Sequence, residues 1–254
     1  MALFCYVMLS LAILAGPLVA VGAGPGISSD EAARILKEGN GRYVEGKPRH
    51  PRQDRERRAL TAGQGQHPLA AVLSCSDSRV PPEIIFDQGL GDLFVVRVLG
   101  NVAATDEIGS IEYAVEHLAA PLVVVLGHSQ CGAVTAVVED VKLPPNLAGL
   151  VEPLKPAVEK AREANPESSK DALVNAAVKE NVWQSIADML DQSLIIRDKV
   201  KDGRVRVVGA IYDLDQGQVQ WLGPHPEQDK LVGTKKGPAG KSGKKGKKTK
   251  KAEE

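Results

Sequence analysis

The chain has 254 residues and a mass of 27.0 kDa, which is enough for one large domain with a sizeable core. Hydrophobic residues make up 43% of it, and the mean hydropathy of −0.14 excludes a polytopic membrane protein. Three cysteines are too few for a small disulfide-stapled scaffold. Before residue 235, 30 acidic side chains outnumber 23 basic ones, so we expect no nucleic-acid partner.

The first 23 residues contain no charged side chain. The apolar run at 3–14, with Gly16-Pro17 and small residues near Ala23 behind it, is typical of a secretory signal peptide. The stretch is also long enough for an N-terminal membrane anchor, and a mistaken start codon would leave the protein in the cytoplasm. We expect a signal peptide, and therefore export to the periplasm or secretion.

Residues 28–222 alternate between strand and helix patterns and are predicted to form one α/β catalytic domain. Ser28 opens an amphipathic stretch as a helix cap. Apolar runs that suit strands buried on both faces lie at 69–73, 93–99, 122–126 and 205–211. Helical patterns occupy 107–118, 131–140 and, as one long helix, 170–200. The alternation predicts a mostly parallel central sheet flanked by helices, with an edge hairpin formed by 205–213 and 218–222.

The tail at 235–254 carries nine lysines and lacks the apolar residues needed for a core. We expect it to be disordered. Its charge would allow a weak contact with an anionic surface, but a solvated tail is the simpler interpretation.

Two cysteines and a histidine lie where predicted strands end. Cys75 follows the strand at 69–73, while His128 and Cys131 follow the strand at 122–126. Ligand sites gather at the carboxyl ends of parallel strands, and Cys₂His leaves a tetrahedral zinc ion with one open position, as in catalytic sites. The residues alone leave two alternatives open, namely buried side chains without a metal and a Cys75–Cys131 disulfide in an oxidising compartment.

Asp77 and Arg79 lie on the same loop as Cys75, two residues apart. Alternate loop residues can point the same way, so a carboxylate–guanidinium pair is available there. On an exposed surface such a pair would contribute little. Beside a metal ion, Arg79 would hold Asp77 ionised, and Asp77 could accept a proton from a metal-bound hydroxide.

Residues 75–81 (CSDSRVP) and 128–132 (HSQCG) resemble the Cys-x-Asp-x-Arg and His-x-x-Cys-Gly signatures of the β-class carbonic anhydrases. The segments at 91–97 and 109–114 are also similar to that family. The resemblance covers residues 28–222. It implies the α/β fold of the family and the zinc-dependent reversible hydration of carbon dioxide to bicarbonate and a proton.

The resemblance also implies roles at the metal. Cys75, His128 and Cys131 would bind Zn²⁺, and Asp77 with Arg79 would form the dyad that orients zinc-bound hydroxide. In some family members the matching aspartate binds zinc at low pH, so Asp77 would be a fourth ligand in a closed, inactive state only.

For substrate, the resemblance implies a hydrogen bond from Gln66 and another from the backbone N–H of Gly132. Phe94 and Tyr113 would line the pocket near a dimer interface, because sites in the family form across subunit contacts. We therefore expect a homodimer or a homotetramer. Hydrolysis of carbon disulfide or carbonyl sulfide, and a non-catalytic zinc or redox role, remain the alternatives.

Overall fold

The computed structural model describes residues 26–233. The predicted signal peptide or anchor at 1–23 and the predicted disordered tail at 235–254 lie outside these described residues. Between residues 26 and 233, no helix has both the length and the apolar character needed to cross a membrane.

A five-stranded sheet with the order β2-β1-β3-β4-β5 forms the centre of the fold. The strands are β1 (Ala70–Cys75), β2 (Leu93–Val98), β3 (Leu122–His128), β4 (Arg206–Tyr212) and β5 (Val219–Gly223). The first four are parallel, whereas β5 returns antiparallel to β4. This architecture confirms the predicted mostly parallel sheet with an edge hairpin.

Ten α-helices lie within the described region. They are α1 (Ser29–Val44), α2 (Arg55–Gln64), α3 (Pro82–Ile85), α4 (Thr105–Glu116), α5 (Gly132–Val138), α6 (Pro145–Val151), α7 (Lys155–Ala164), α8 (Lys170–Gln192), α9 (Leu194–Lys201) and α10 (Gln228–Gly233). Ser28 caps α1 as predicted, because its hydroxyl accepts a hydrogen bond from the Glu31 N–H at 3.1 Å. Helix α10 extends the described structure beyond the predicted domain end at residue 222.

The predicted single helix over 170–200 is wrong, because the segment forms two helices that meet at Ser193. This buried residue has extended backbone angles, φ −102° and ψ 109°. Its hydroxyl accepts a hydrogen bond from the Ile196 N–H at 3.0 Å and donates to Glu112 Oε1 at 2.5 Å. Ser193 therefore ends α8 and caps α9, and its side chain ties this junction to α4.

Helices cover the sheet on both faces, and the central strands β1 and β3 are buried at every position. On one face, Val123 and Val125 belong to a cluster that includes residues of α4, α8 and α9. On the other face, Val124 and Leu126 pack with Leu36 of α1 and with residues of α3. Burial of one such side chain contributes about 1.5–3 kcal/mol, so the two layers hold the strand ends firmly in place.

Helix α8 lies close to the sheet because two strand positions beneath it are glycines. A Cβ atom on Gly209 would lie 2.7 Å from Val182 Cγ1, and one on Gly127 would lie 2.8 Å from Cγ2 of the same valine. Both distances are too short for a carbon–carbon contact. These two glycines therefore set how near α8 can approach β3 and β4.

Candidate metal centre

The three predicted ligand residues meet at one edge of the sheet. Cys75 is the last residue of β1, His128 is the last residue of β3, and Cys131 is the N-cap of α5. Strands β1 and β3 are parallel neighbours, so their carboxyl ends lie side by side. The short loop 129–131 then brings Cys131 back beside His128.

One ligand atom from each of Cys75, His128 and Cys131 lies within 4.8 Å of the others. All three side chains are buried. The Nδ1 atom of His128 lies 2.8 Å from the Ser129 carbonyl oxygen, to which it can donate only as Nδ1–H. The lone pair is then on Nε2, which is buried and has no hydrogen-bond partner among the described residues.

These residues fit a zinc ion. Two thiols and one imidazole are ligands that zinc prefers. The lone pair on Nε2 of His128 is buried without a hydrogen-bond partner among the described residues, so it is available to coordinate a metal ion. The carbonyl contact at Nδ1 is the outer-shell hydrogen bond that commonly orients a metal-binding histidine. Cys75 and Cys131 are both free, so the disulfide alternative is not formed in this structure.

The surroundings of Cys75 favour its thiolate. Its pKa is lowered mainly by a hydrogen bond from the Cys131 thiol and also by His128 and the N–H groups of Asp77 and Gly100, while burial opposes the shift. The same contact with Cys75, together with burial, raises the pKa of Cys131. Both cysteines could be thiolates together only if a cation between the two sulfur atoms offset their negative charges.

Asp77 and Arg79 form a close pair beside the three ligand residues. Arg79 donates from Nη2 to Asp77 Oδ2 at 2.8 Å and from Nε to Oδ1 at 3.0 Å, and its backbone N–H donates to Oδ1 at 2.9 Å. These contacts outweigh burial and lower the pKa of Asp77 to about 2. Asp77 Oδ2 lies 3.9 Å from His128 Nε2, so the ionised carboxylate is next to the ligand group without belonging to it.

The loop that carries Cys75 and Asp77 is held by Arg97 of the neighbouring strand β2. The Arg97 guanidinium donates to the Cys75 carbonyl oxygen from Nε at 3.1 Å and to the Asp77 carbonyl oxygen from Nη2 at 2.5 Å. No motif in the sequence pointed to this role. The parallel register, which places Ser74 opposite Arg97, is what brings the guanidinium there.

A cavity of about 380 Å³ opens beside the ligand group. Its polar end is formed by Cys75, Ser76, Asp77 and Gly132, and the rest of its lining is apolar: Leu99, Ala133, Ala136, Leu143, Leu147 and Val151. Helix α6 supplies two of these apolar side chains. The cavity therefore combines a polar end at the Cys₂His group with walls that suit a small apolar molecule.

The other three residues assigned to substrate do not line this cavity. Gln66 lies between α2 and β1 and is half-buried. Phe94 of β2 and Tyr113 of α4 face each other with ring centroids 6.1 Å apart, and Tyr113 is 49% exposed. Within one chain, the structure brings Gly132 to the ligand group and leaves Gln66, Phe94 and Tyr113 outside the cavity.

The fold and the site define this chain as an α/β protein with a buried Cys₂His centre of the kind that metal-dependent enzymes use. The profile of the carbonic anhydrase family matches residues 70–219. A relative from Mycobacterium tuberculosis, named Carbonic anhydrase 2, is 42% identical over 200 residues that cover 76% of this chain and 93% of the relative.

Solved structures give the same result. A β-carbonic anhydrase from Aspergillus fumigatus is similar with a TM-score of 0.62 and 29% identity, over 70% of this chain and 88% of its own. One from Sordaria macrospora, described as tetrameric, has a TM-score of 0.61 and 27% identity, over 73% of this chain and 94% of its own. The chain belongs to the β-class carbonic anhydrases, which are lyases, and the resemblance noted in the sequence is confirmed.

Proposed function

We propose that this chain catalyses the zinc-dependent, reversible hydration of carbon dioxide to bicarbonate and a proton. The observation that carries the proposal is the buried group of Cys75, His128 and Cys131 beside a largely apolar cavity. Its ligand atoms lie within 4.8 Å of one another, so they could bind one ion. Bound zinc would acidify a water ligand and so supply the nucleophile.

The role proposed for Asp77 and Arg79 follows from their charge state. An ionised carboxylate can only accept hydrogen bonds, and the pKa of Asp77 is far below neutral because of Arg79. Asp77 would therefore accept a hydrogen bond from an O–H group at the open ligand position and fix its orientation. Arg79 would act through Asp77, since its guanidinium is already committed to that carboxylate.

The cavity supports carbon dioxide as the substrate. Carbon dioxide has no net dipole and no hydrogen to donate, so the apolar walls around Leu147 and Val151 suit it better than they suit water. Gly132 also lines the cavity, and its backbone N–H would donate to an oxygen of bicarbonate. That donor would favour the bent anionic product over other small molecules.

We also propose that the active assembly is a homodimer or a homotetramer. Phe94 and Tyr113 form a partly exposed pair outside the cavity of their own chain, and Gln66 is likewise outside it. The proposal is that one subunit supplies these three residues to the cavity of its partner. The tetrameric relative from Sordaria macrospora supports an oligomer of this kind.

For location, we propose that residues 1–23 direct export to the periplasm or the cell exterior. The uncharged, apolar composition of this segment supports the proposal. Sequencing of the amino terminus of the mature protein is the test, and a mature chain that retains residues 1–23 would contradict cleavage.

The catalytic proposal is tested by stopped-flow hydration of carbon dioxide by the full chain, with zinc content measured on the same sample. Cys75→Ser is expected to lose zinc and activity together, because it removes a thiolate ligand. Asp202→Asn is the control, since Asp202 is exposed and does not line the cavity, and it should keep both. Full zinc content in Cys75→Ser would contradict the ligand assignment, and a zinc-loaded wild-type chain that is inactive would contradict the activity.

Sharing of residues between subunits is tested by mixing an inactive variant, Cys75→Ser, with a variant expected to be impaired, Gln66→Ala. Cys75→Ser has an intact Gln66 but no complete metal group, whereas Gln66→Ala has the reverse. If Gln66 serves the partner's cavity, a co-assembled pair regains one working site and therefore measurable hydration. Mixtures that form hetero-oligomers without any recovery would contradict the shared site.

A further inference from the structure

A tight turn joins β2 to α4 and contacts Cys75 of the candidate metal centre. Gly100 and Asn101 both have left-handed backbone angles, with φ of +74° and +46°. This path directs the Gly100 N–H at Cys75, with the nitrogen 3.3 Å from Sγ. A Cβ atom on Gly100 would lie 3.0 Å from Leu154 Cδ1, so the turn has no free space on that side.

On its other side, the same turn is held by two buried polar residues of α8. Asn181 Nδ2 donates to the Gly100 carbonyl oxygen at 2.7 Å, and Ser185 Oγ donates to the Asn101 carbonyl oxygen at 3.0 Å. Asn181 and Ser185 are four residues apart and so lie on one face of the helix. Both are at least 98% buried.

The rest of the buried surface of α8 is almost entirely apolar, with residues such as Val178, Val182 and Ile186. A buried amide or hydroxyl is costly unless it is hydrogen-bonded, and an apolar side chain would fill the same space without that cost. Asn181 and Ser185 donate to the consecutive carbonyl oxygens of Gly100 and Asn101. These two hydrogen bonds therefore stabilise the conformation of that turn.

We infer that Asn181 and Ser185 are positioning residues that hold the Gly100 N–H on the sulfur of Cys75 and thereby set the zinc affinity of the site. A hydrogen bond to a ligand sulfur controls its orientation and its strength as a donor. The chain of contacts runs from α8 to the two carbonyls, through the Gly100 peptide, to Sγ. The inference rests on the proposed role of Cys75 as a zinc ligand.

The test compares Asn181→Leu and Ser185→Ala with the wild type in the full chain. Zinc dissociation constants are measured by competition with a chelator, and the cobalt(II)-substituted proteins are compared by their sulfur-to-cobalt charge-transfer absorption. Asn181→Leu should weaken zinc binding by about tenfold, the lower end of the range for outer-shell partners. It should also shift the charge-transfer band. Ser185→Ala removes one hydrogen bond, to the Asn101 carbonyl oxygen, and should give a smaller loss of zinc affinity and a smaller shift of the band.

Ile186→Val is the matched control, because it alters the neighbouring core position of α8 without touching the turn. It should lower the melting temperature and leave zinc affinity and the cobalt band at wild-type values. Wild-type affinity and spectrum in Asn181→Leu and Ser185→Ala would overturn the inference, as would equal changes in Ile186→Val. A wild-type chain that binds neither ion at Cys75 would overturn the proposed function as well, so the two failures are distinguishable.

Discussion

The chain contains the arrangement Asp-x-Arg in two places with the same ion-pair distance. Asp77 pairs with Arg79 beside the ligand group, and Asp202 pairs with Arg204 in the turn before β4. In both pairs the Arg Nη2 atom lies 2.8 Å from the Asp Oδ2 atom. The side chain of Asp202 is 55% exposed, however, whereas that of Asp77 is 18% exposed.

The difference between the two pairs lies in what surrounds them. Arg79 reaches Asp77 through two side-chain nitrogens and its backbone N–H, and Arg97 holds the Asp77 carbonyl. Asp77 therefore has one orientation, facing His128 and the cavity. An exposed pair such as Asp202–Arg204 gains little from its charge because water screens it. The Asp-x-Arg spacing allows the ion pair in both places, and the surrounding loop determines how exposed and how firmly oriented the carboxylate is.

The largest expected effect comes from Asp77→Asn. An amide can donate where the carboxylate only accepts, so the oriented O–H group would be lost, at a cost of about a hundredfold in kcat/KM. Zinc content should stay at the wild-type value. Asp202→Asn is the matched control, and its stopped-flow rate should equal that of the wild type. Equal rates for Asp77→Asn and the wild type would remove Asp77 from the mechanism.

A third ion pair, Arg42–Asp87, is buried but does not line the cavity, so it tests the effect of burial on stability apart from any effect on catalysis. Asp87 is buried and accepts hydrogen bonds from Arg42 Nε at 2.6 Å and from the backbone N–H groups of Arg49 and His50. Asp87→Asn should lower the free energy of unfolding by about 2 kcal/mol, since the contacts involve a charged acceptor. Zinc content and kcat should be unchanged in the folded variant, and a lower kcat would contradict the separation.

The stability contributed by Asp87 should depend on pH. Burial raises the pKa of this carboxyl, but the N–H groups of Arg49 and His50 and the Arg42 guanidinium together lower it below its ordinary value. A lowered pKa stabilises the folded state above the unfolded value of about 3.9, and this contribution is lost as the pH falls. Denaturant titrations should therefore show a constant difference between the wild type and Asp87→Asn above about pH 5, and a shrinking one below about pH 4. A difference that grew in acid would contradict the assignment.

Arg79→Gln should have a smaller effect than Asp77→Asn, because it leaves the carboxylate in place. We expect a loss of about tenfold in kcat/KM, because Asp77 loses both guanidinium hydrogen bonds but keeps the one from the backbone N–H at position 79. Without the Arg79 guanidinium, the pKa of Asp77 rises toward its ordinary value but stays well below neutral, so the carboxylate remains ionised and the fold loss should be the same at neutral and at alkaline pH. Arg204→Gln is the control, and a loss equal to that of Asp77→Asn would mean that Arg79 itself touches substrate.

The smallest effects should come from the exposed pair. Asp202→Asn and Arg204→Gln should each change the free energy of unfolding by less than about 0.5 kcal/mol, as is usual for surface ion pairs. Guanidinium or urea titrations check this value. A loss above about 1 kcal/mol would mean that the turn before β4 depends on the ion pair.

Much of this structure could be predicted from the sequence, for physical reasons. Strands β1 and β3 are nearly continuous apolar runs because they are buried on both faces, and Cys75 and His128 follow from the rule that sites lie at strand ends. The two signatures of the family then assigned zinc to these residues and to Cys131. Local pattern and family resemblance agreed at these positions.

Other features depend on distant contacts that no local pattern contains. The break at Ser193 is stabilised by Glu112 of α4, 81 positions away in the sequence. Asn181 and Ser185 look like ordinary polar residues of a helix until α8 is placed against the turn that they hold. Gln66 does not line the cavity of its own chain, so its proposed contact with substrate would need a second subunit, whose arrangement no local sequence pattern predicts.

The close approach of α8 to the sheet has a consequence for how this enzyme can evolve. Val182, which packs against Gly209, is the neighbour of Asn181 on α8. An alanine at position 209 would press on Val182, and the displaced helix would carry the Asn181 amide away from the Gly100 peptide. If Asn181 positions the Gly100 peptide as inferred, the zinc affinity of the site also depends on a glycine with no reactive group of its own. A Cβ atom there would also lie 3.0 Å from Trp183 Cζ3, so we expect a replacement at 209 to need changes at both 182 and 183.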